Sequence, residues 1–123
     1  MEQHGKSVLL LGASLKPFRY SNIAVKMLTS HGHNVWPLGR EKGEIAGKEV
    51  QTQLPEWDNI NTVTVYLNPE NQKDYYNSIF KYRPERIIFN PGTENPEFKK
   101  IAEDKGVEVV ENCTLEMLEG GIF

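Results

Sequence analysis

The chain has 123 residues, 38% of them hydrophobic and 25% charged, with a formal net charge of −3 at pH 7. That length accommodates one domain, 1–123, with a single buried core, and the negative balance argues against a nucleic-acid partner because no basic surplus exists to displace counterions. One cysteine, Cys113, excludes an internal disulfide framework, and no apolar run approaches the roughly 20 residues of a membrane span, so the expectation is a cytoplasmic chain with no membrane partner and no signal peptide.

Val8, Leu9, Leu10 and Leu11 are continuous rather than alternating, which predicts a strand over 6–11 with both faces covered. Ile23, Ala24, Met27 and Leu28 recur at helical spacing and predict a helix over 21–30, with Ser21 or Asn22 as N-cap and Gly32 as the stop. A second strand follows over 34–38. Residues 40–58 are the least periodic part of the chain. Ile45, Val50, Leu54 and Trp57 are apolar there, but Gly43, Gly47 and Pro55 interrupt any long element. The run Thr-Val-Thr-Val-Tyr-Leu predicts a third strand over 62–67, ended by Asn68-Pro69. A helix over 72–82 with Tyr75, Tyr76, Ile79 and Phe80 inward comes next, then a fourth strand over 86–89. Pro96 occupies the first position of a helix that runs to Gly106. A fifth strand over 107–110 and a short helical turn around Leu115, Met117 and Leu118 complete the chain. This alternation predicts an α/β domain with a doubly wound, parallel, five-stranded sheet in the order 3-2-1-4-5.

Ligands of such sheets bind beyond the carboxyl ends of the strands, and that rule selects a few loops. After the first strand, Gly12 and Ala13 are small enough for a phosphate to approach the backbone. Ser14 and Ser21 supply hydroxyls, Lys16 and Arg19 supply positive charge, and the following helix supplies unpaired N–H groups. The second and third glycines of a dinucleotide fingerprint are missing, so the loop suits a looser polyanion. After the second strand, Gly39 and Arg40 replace the acidic residue that holds the ribose hydroxyls of NAD. This suits a ribose phosphate, either the 2′-phosphate of NADP or the 3′-phosphate of coenzyme A. Asn68-Pro69 and Asn90-Pro91-Gly92 lie at the same edge and are also ordinary turn sequences. Cys113 reads either as a small packed side chain or as a reactive thiol at a helix start. His31 and His33 flank the Gly32 turn as exposed cap residues and lack the partners of a metal site. Trp36, Tyr75 and Tyr76 permit a dimer without indicating one.

Gly12-Ala13-Ser14 with Pro17, Arg19, Tyr20, Ser21 and Asn22, the step Gly32-His33 with Val35 and Pro37, the pair Ile45 and Gly47, and the loop Asn90 to Glu94 together form a pattern. It resembles the small single-domain CoA-binding proteins related to the CoA-binding domain of succinyl-CoA synthetase alpha subunits, over nearly the whole chain. The resemblance implies a Rossmann-like fold and a site for coenzyme A or an acyl-CoA. By matching position it implies that Gly12, Ala13, Ser14, Lys16, Tyr20 and Ser21 surround phosphates. It places Pro37, Gly39 and Arg40 near the adenosine end, and Asn68, Pro69 and Gly92 on the remaining wall. Where relatives commonly carry Val-Asn-Pro after the second strand, this chain carries Leu38-Gly39-Arg40. No paired carboxylates, Ser-His-Asp arrangement or metal cluster is evident, so no reaction is assigned. Two alternatives stand beside CoA binding: an NADP-binding oxidoreductase, and a Rossmann-like interaction scaffold with a vestigial site.

Overall fold

Side chains of the first strand alternate between two apolar layers, and the remaining elements are arranged around that alternation. The computed structural model describes residues 5–56 and 59–123. Strand β1 (Ser7–Ala13) sends Leu9 and Leu11 into a layer with Val63, Val65, Ile87, Phe89 and Phe98. It sends Val8 and Leu10 into a second layer with Ala24, Val25, Leu28 and Leu118. Period-two side-chain direction explains the split, and burial on both faces explains why the run is uninterrupted in sequence. Trp57, expected among the apolar residues of the irregular segment, lies outside the described residues.

Helix α1 (Tyr20–Ser30) begins one residue earlier than expected. Its N-cap is Arg19, which makes no side-chain capping bond. Ser21 and Asn22 are instead inside the first turn and buried. The Asn22 amide is committed elsewhere, donating from Nδ2 to the Ser14 carbonyl at 2.9 Å. At the far end His33 N–H reaches Leu28 O and Gly32 N–H reaches Thr29 O, both at 3.0 Å, with Gly32 at φ +86°. This paired closure requires the left-handed conformation that glycine adopts at least cost.

Strand β2 (Asn34–Gly39) lies parallel to β1, and then the chain departs from expectation. Residues 40–58 contain a hairpin, β3 (Gly43–Ile45) and β4 (Lys48–Val50), turned by Ala46 at φ 52° and Gly47 at φ 79°. Just beyond it, Gln51 N–H donates to Pro37 O at 3.0 Å and Gly39 N–H donates to Gln51 O at 2.8 Å. The outer edge of β2 is therefore occupied. Strand β5 (Thr62–Val65) enters on the other side of β1, followed outward by β6 (Arg86–Phe89) and β7 (Glu108–Glu111). The order of the five parallel strands is thus 2-1-3-4-5 rather than 3-2-1-4-5, and the direction of winding reverses between β1 and β5.

The expected helix over 72–82 starts earlier and is broken. Helix α2 (Pro69–Gln72) is capped by Asn68, whose Oδ1 accepts the Asn71 N–H at 3.0 Å. Proline at the first helical position sets the start there. A 3-10 turn (Lys73–Tyr75) then leads to α3 (Tyr76–Phe80). Helix α4 (Pro96–Asp104) is capped by Asn95, and α5 (Thr114–Glu119) follows β7. The molecule is a single Rossmann-like α/β domain with helices on both faces of the parallel sheet. Among the described residues no helix is long and apolar enough to cross a membrane.

Candidate functional site

The carboxyl ends of β1, β2, β5 and β6 surround a cavity of about 660 Å³, within the size range of small-molecule pockets. It lies over the reversal of winding between β1 and β5, where open α/β sheets bind ligands.

Its floor is the exit of β1. Gly12 sits at φ +97°, and a Cβ there would lie 2.9 Å from the carbonyl carbon of Tyr66 and 3.0 Å from the amide of Leu67. Only glycine allows the exits of β1 and β5 to cross this closely. Ala13, Ser14, Leu15 and Lys16 continue the wall, and Arg19, Tyr20 and Ser21 complete it at the start of α1. The loop is held internally by Lys16 N–H to Ser14 Oγ at 3.2 Å and Arg19 N–H to Lys16 O at 3.1 Å. The Asn22 bond to Ser14 O ties it to the helix. Helix α1 has no side-chain cap and no acidic residue in its first turn. Its first-turn N–H groups and the positive end of its dipole are left for an anion.

Leu38, Gly39, Arg40 and Glu41 form the β2 side. Gly39 is also required by packing, because a Cβ there would come 2.5 Å from Ala13 O. Pro37 does not line the cavity. It is buried within β2 opposite Leu10, and its carbonyl serves Gln51. On the opposite side Tyr66 and Leu67 leave β5, Asn71, Asp74 and Tyr75 come from the α2 segment, and Pro91 and Thr93 follow β6. Asn68 and Pro69 cap and start α2 rather than lining the cavity. Gly92 is an exposed turn residue at φ +92° between two lining residues. Of the thirteen positions inferred from sequence, the cavity brings together nine: Gly12, Ala13, Ser14, Lys16, Arg19, Tyr20, Ser21, Gly39 and Arg40.

What sequence reasoning missed is the scaffold beneath the site. Gln72 is fully buried, and its Nε2 donates to Leu67 O at 2.9 Å and Thr93 O at 2.8 Å. Asn95 Nδ2 donates to Gln72 Oε1 and to the Tyr76 hydroxyl, which donates to Glu97. Asn90 Nδ2 donates to Thr64 Oγ1 and Val65 O, and its Oδ1 accepts the Thr114 N–H, all at 2.8 Å. Two such networks fix the cavity walls contributed by β5 and β6. An asparagine directly before Pro96 was a visible capping signal; nothing comparable marked Gln72. Tyr66 stands between this scaffold and the cavity. Burial pushes its hydroxyl well above the ordinary phenol range, with the Thr114 hydroxyl acting in the opposite direction, and the hydroxyl oxygen itself is enclosed.

Cys113 precedes α5, is partly exposed and lies outside the cavity lining. His33 is not a free cap residue: its Nδ1 accepts the Lys6 N–H at 3.0 Å and its ring packs on Phe123. No group of three or more metal-ligating side chains occurs among the described residues.

Comparison with known proteins agrees with this architecture. The CoA binding domain family matches residues 6–119. A solved structure described as an uncharacterized protein is 46% identical, covers 97% of this chain and 98% of its own, and superposes with a TM-score of 0.93. A hypothetical protein from Pyrococcus horikoshii OT3 is 28% identical over 95% of this chain and 84% of its own, with a TM-score of 0.85. The dinucleotide-forming acetyl-coenzyme A synthetase 1 of Ca. Korarchaeum cryptofilum shares the fold at 16% identity and a TM-score of 0.71. That match covers 88% of this chain and 26% of the synthetase. No curated protein matches.

Proposed function

The chain belongs to the CoA binding domain family, and from that premise we propose that its strand-end cavity holds coenzyme A or an acyl-CoA. Family membership supports a CoA-related binding role. The finer reading puts the phosphates on the loop from Ser14 to Ser21 and the start of α1. The observation that carries it is the uncapped first turn of α1 set beside Lys16 and Arg19. Unpaired N–H groups, a helix dipole and two cations on one side of a cavity are the equipment of a polyanion site. Arg40, across the cavity at the end of β2, suits the ribose phosphate.

Calorimetric titration with CoA, dephospho-CoA, NADP and NADPH tests the reading. The expected result is saturable binding of CoA, with dephospho-CoA weaker by about tenfold for the lost charge-assisted contacts. Binding of NADP in preference to CoA would replace the reading with a nicotinamide site. Binding of none of the four, nor of acetyl-CoA, by a protein that native mass spectrometry shows to be ligand-free, would leave a scaffold.

A further inference from the structure

The cavity is electrically lopsided. All its lysines and arginines, namely Lys16, Arg19 and Arg40, come from the loops after β1 and β2, which also carry the carboxylate of Glu41 and so leave that half with a net positive charge. The half built by β5 and β6 has no cation. Its lining is apolar at Tyr66, Leu67, Tyr75 and Pro91, and its one ionisable carboxylate is Asp74, exposed on the 3-10 turn. Among the described residues no lysine or arginine nitrogen lies within 4 Å of the Asp74 carboxylate, so its charge is not neutralised by an ion pair.

Coenzyme A is lopsided in the same way. Its charges are all on the phosphates of the adenosine half, and its pantetheine arm is uncharged. Resting on the reading above, matching the two distributions lays the arm along the β5 and β6 half and carries the thioester toward Asp74. We infer that this half selects the acyl group: the site takes CoA bearing an uncharged acyl chain and discriminates against acyl groups that end in a carboxylate, with Asp74 as the specificity-determining residue. Two carboxylates brought close in a partly solvated cavity repel, whereas a short apolar acyl group removes apolar surface of Tyr66, Leu67 and Tyr75 from water.

The test compares free CoA, acetyl-CoA, butyryl-CoA and succinyl-CoA by calorimetry, on the wild-type protein and on Asp74→Asn. Succinyl-CoA should bind about threefold to tenfold more weakly than butyryl-CoA at low salt, with the gap narrowing as salt screens the repulsion. In Asp74→Asn the ratio of butyryl-CoA to succinyl-CoA affinity should fall toward one. The substituted side chain is exposed and isosteric, and an unchanged unfolding midpoint confirms that the fold is retained. Equal affinity of the wild type for butyryl-CoA and succinyl-CoA, with CoA itself binding, overturns the inference and leaves the CoA reading intact. A ratio that Asp74→Asn does not move overturns the role of Asp74. Failure of free CoA and of all three acyl-CoAs to bind removes the inference together with the reading on which it rests.

Discussion

The two ends of the parallel sheet treat their polar groups in opposite ways. At the amino ends of the strands the polar and aromatic side chains engage one another. Lys6 donates from Nζ to the Phe123 carbonyl at 2.7 Å and from its backbone N–H to His33. The Phe123 ring lies 4.6 Å from the Arg86 guanidinium and 5.4 Å from the Lys6 ammonium, and Arg86 Nε donates to Thr62. At the carboxyl ends Lys16, Arg19 and Arg40 stand around an open cavity; Arg19 lies over the exposed Phe18 ring at 5.8 Å, and among the described residues none of the three is within 4 Å of a carboxylate oxygen. The same kind of charge is thus structural at one end and available at the other. Charge composition alone does not separate the two roles; placement relative to strand direction does.

A buried hydrogen-bonded frame ties together the walls of the carboxyl-end cavity on the β5 and β6 side. Gln72 is the keystone of that frame. Gln72→Ala removes a donor from two carbonyls and an acceptor from Asn95, and it leaves a cavity in a fully buried position. Each buried polar group left unsatisfied costs about 1–3 kcal/mol, so a loss of roughly 3 kcal/mol or more is expected in urea unfolding. A loss below about 1 kcal/mol would mean that water replaces the amide and that the frame is not needed to keep the cavity formed.

The cationic loop should behave in the opposite way. In the double variant Lys16→Ala with Arg19→Ala, two exposed side chains without ion pairs are removed, so the unfolding midpoint should not move. CoA affinity should fall by roughly 10- to 100-fold, the range for losing charge-assisted contacts to phosphate. The matching variant at the amino end, Arg86→Ala, should do the reverse. It strips a partly buried cation from Phe123 and Thr62 and should lower stability while leaving CoA affinity alone. If both variants changed affinity equally, the division of labour between the ends would be wrong.

How much of this was legible follows from where each signal is stored. The β1 run, the Gly12 turn and the basic loop are local, and sequence placed them together at one strand end. The position of β5 was not local. Nothing in Thr62 to Val65 says whether it pairs with β1 or with the outer edge of β2; in the structure Gln51 bridges to that outer edge and β5 pairs with β1. The hairpin that precedes Gln51 was hidden because its strands are three residues long and its turn uses Ala46, where asparagine or aspartate ordinarily announces a positive φ. Pro37 illustrates the converse, a local match whose placement depends on the sheet. Its position matched a family pattern, yet Pro37 is buried in the sheet, one residue before the cavity lining begins at Leu38. Gln72 was illegible for a third reason: a glutamine in a helix reads as solvated surface, and its burial depends on the loops of β5 and β6 converging on it.

The smallest expected effect sharpens the comparison from the amino end. His33 must present an unprotonated Nδ1 to the Lys6 N–H. Burial lowers its pKa below the ordinary 6.5, and the charges of Lys6, His31 and Arg86 facing it lower it further. Between the lowered folded value and 6.5 the unfolded chain binds more protons than the folded one. Stability from this ring is therefore complete above about pH 6.5 and is lost as pH falls through the folded value. His33→Asn keeps an acceptor at a similar position and removes the titration. Urea midpoints measured between about pH 7.5 and pH 5.5 should fall more steeply for the wild type than for His33→Asn, while the pH dependence of CoA affinity, if the proposed site at the other end of the sheet holds the ligand, should be the same in both proteins. Parallel stability profiles would show that the amino-end cluster tolerates a protonated ring, and a difference in the affinity profiles would show that the two ends are coupled through the strands that join them.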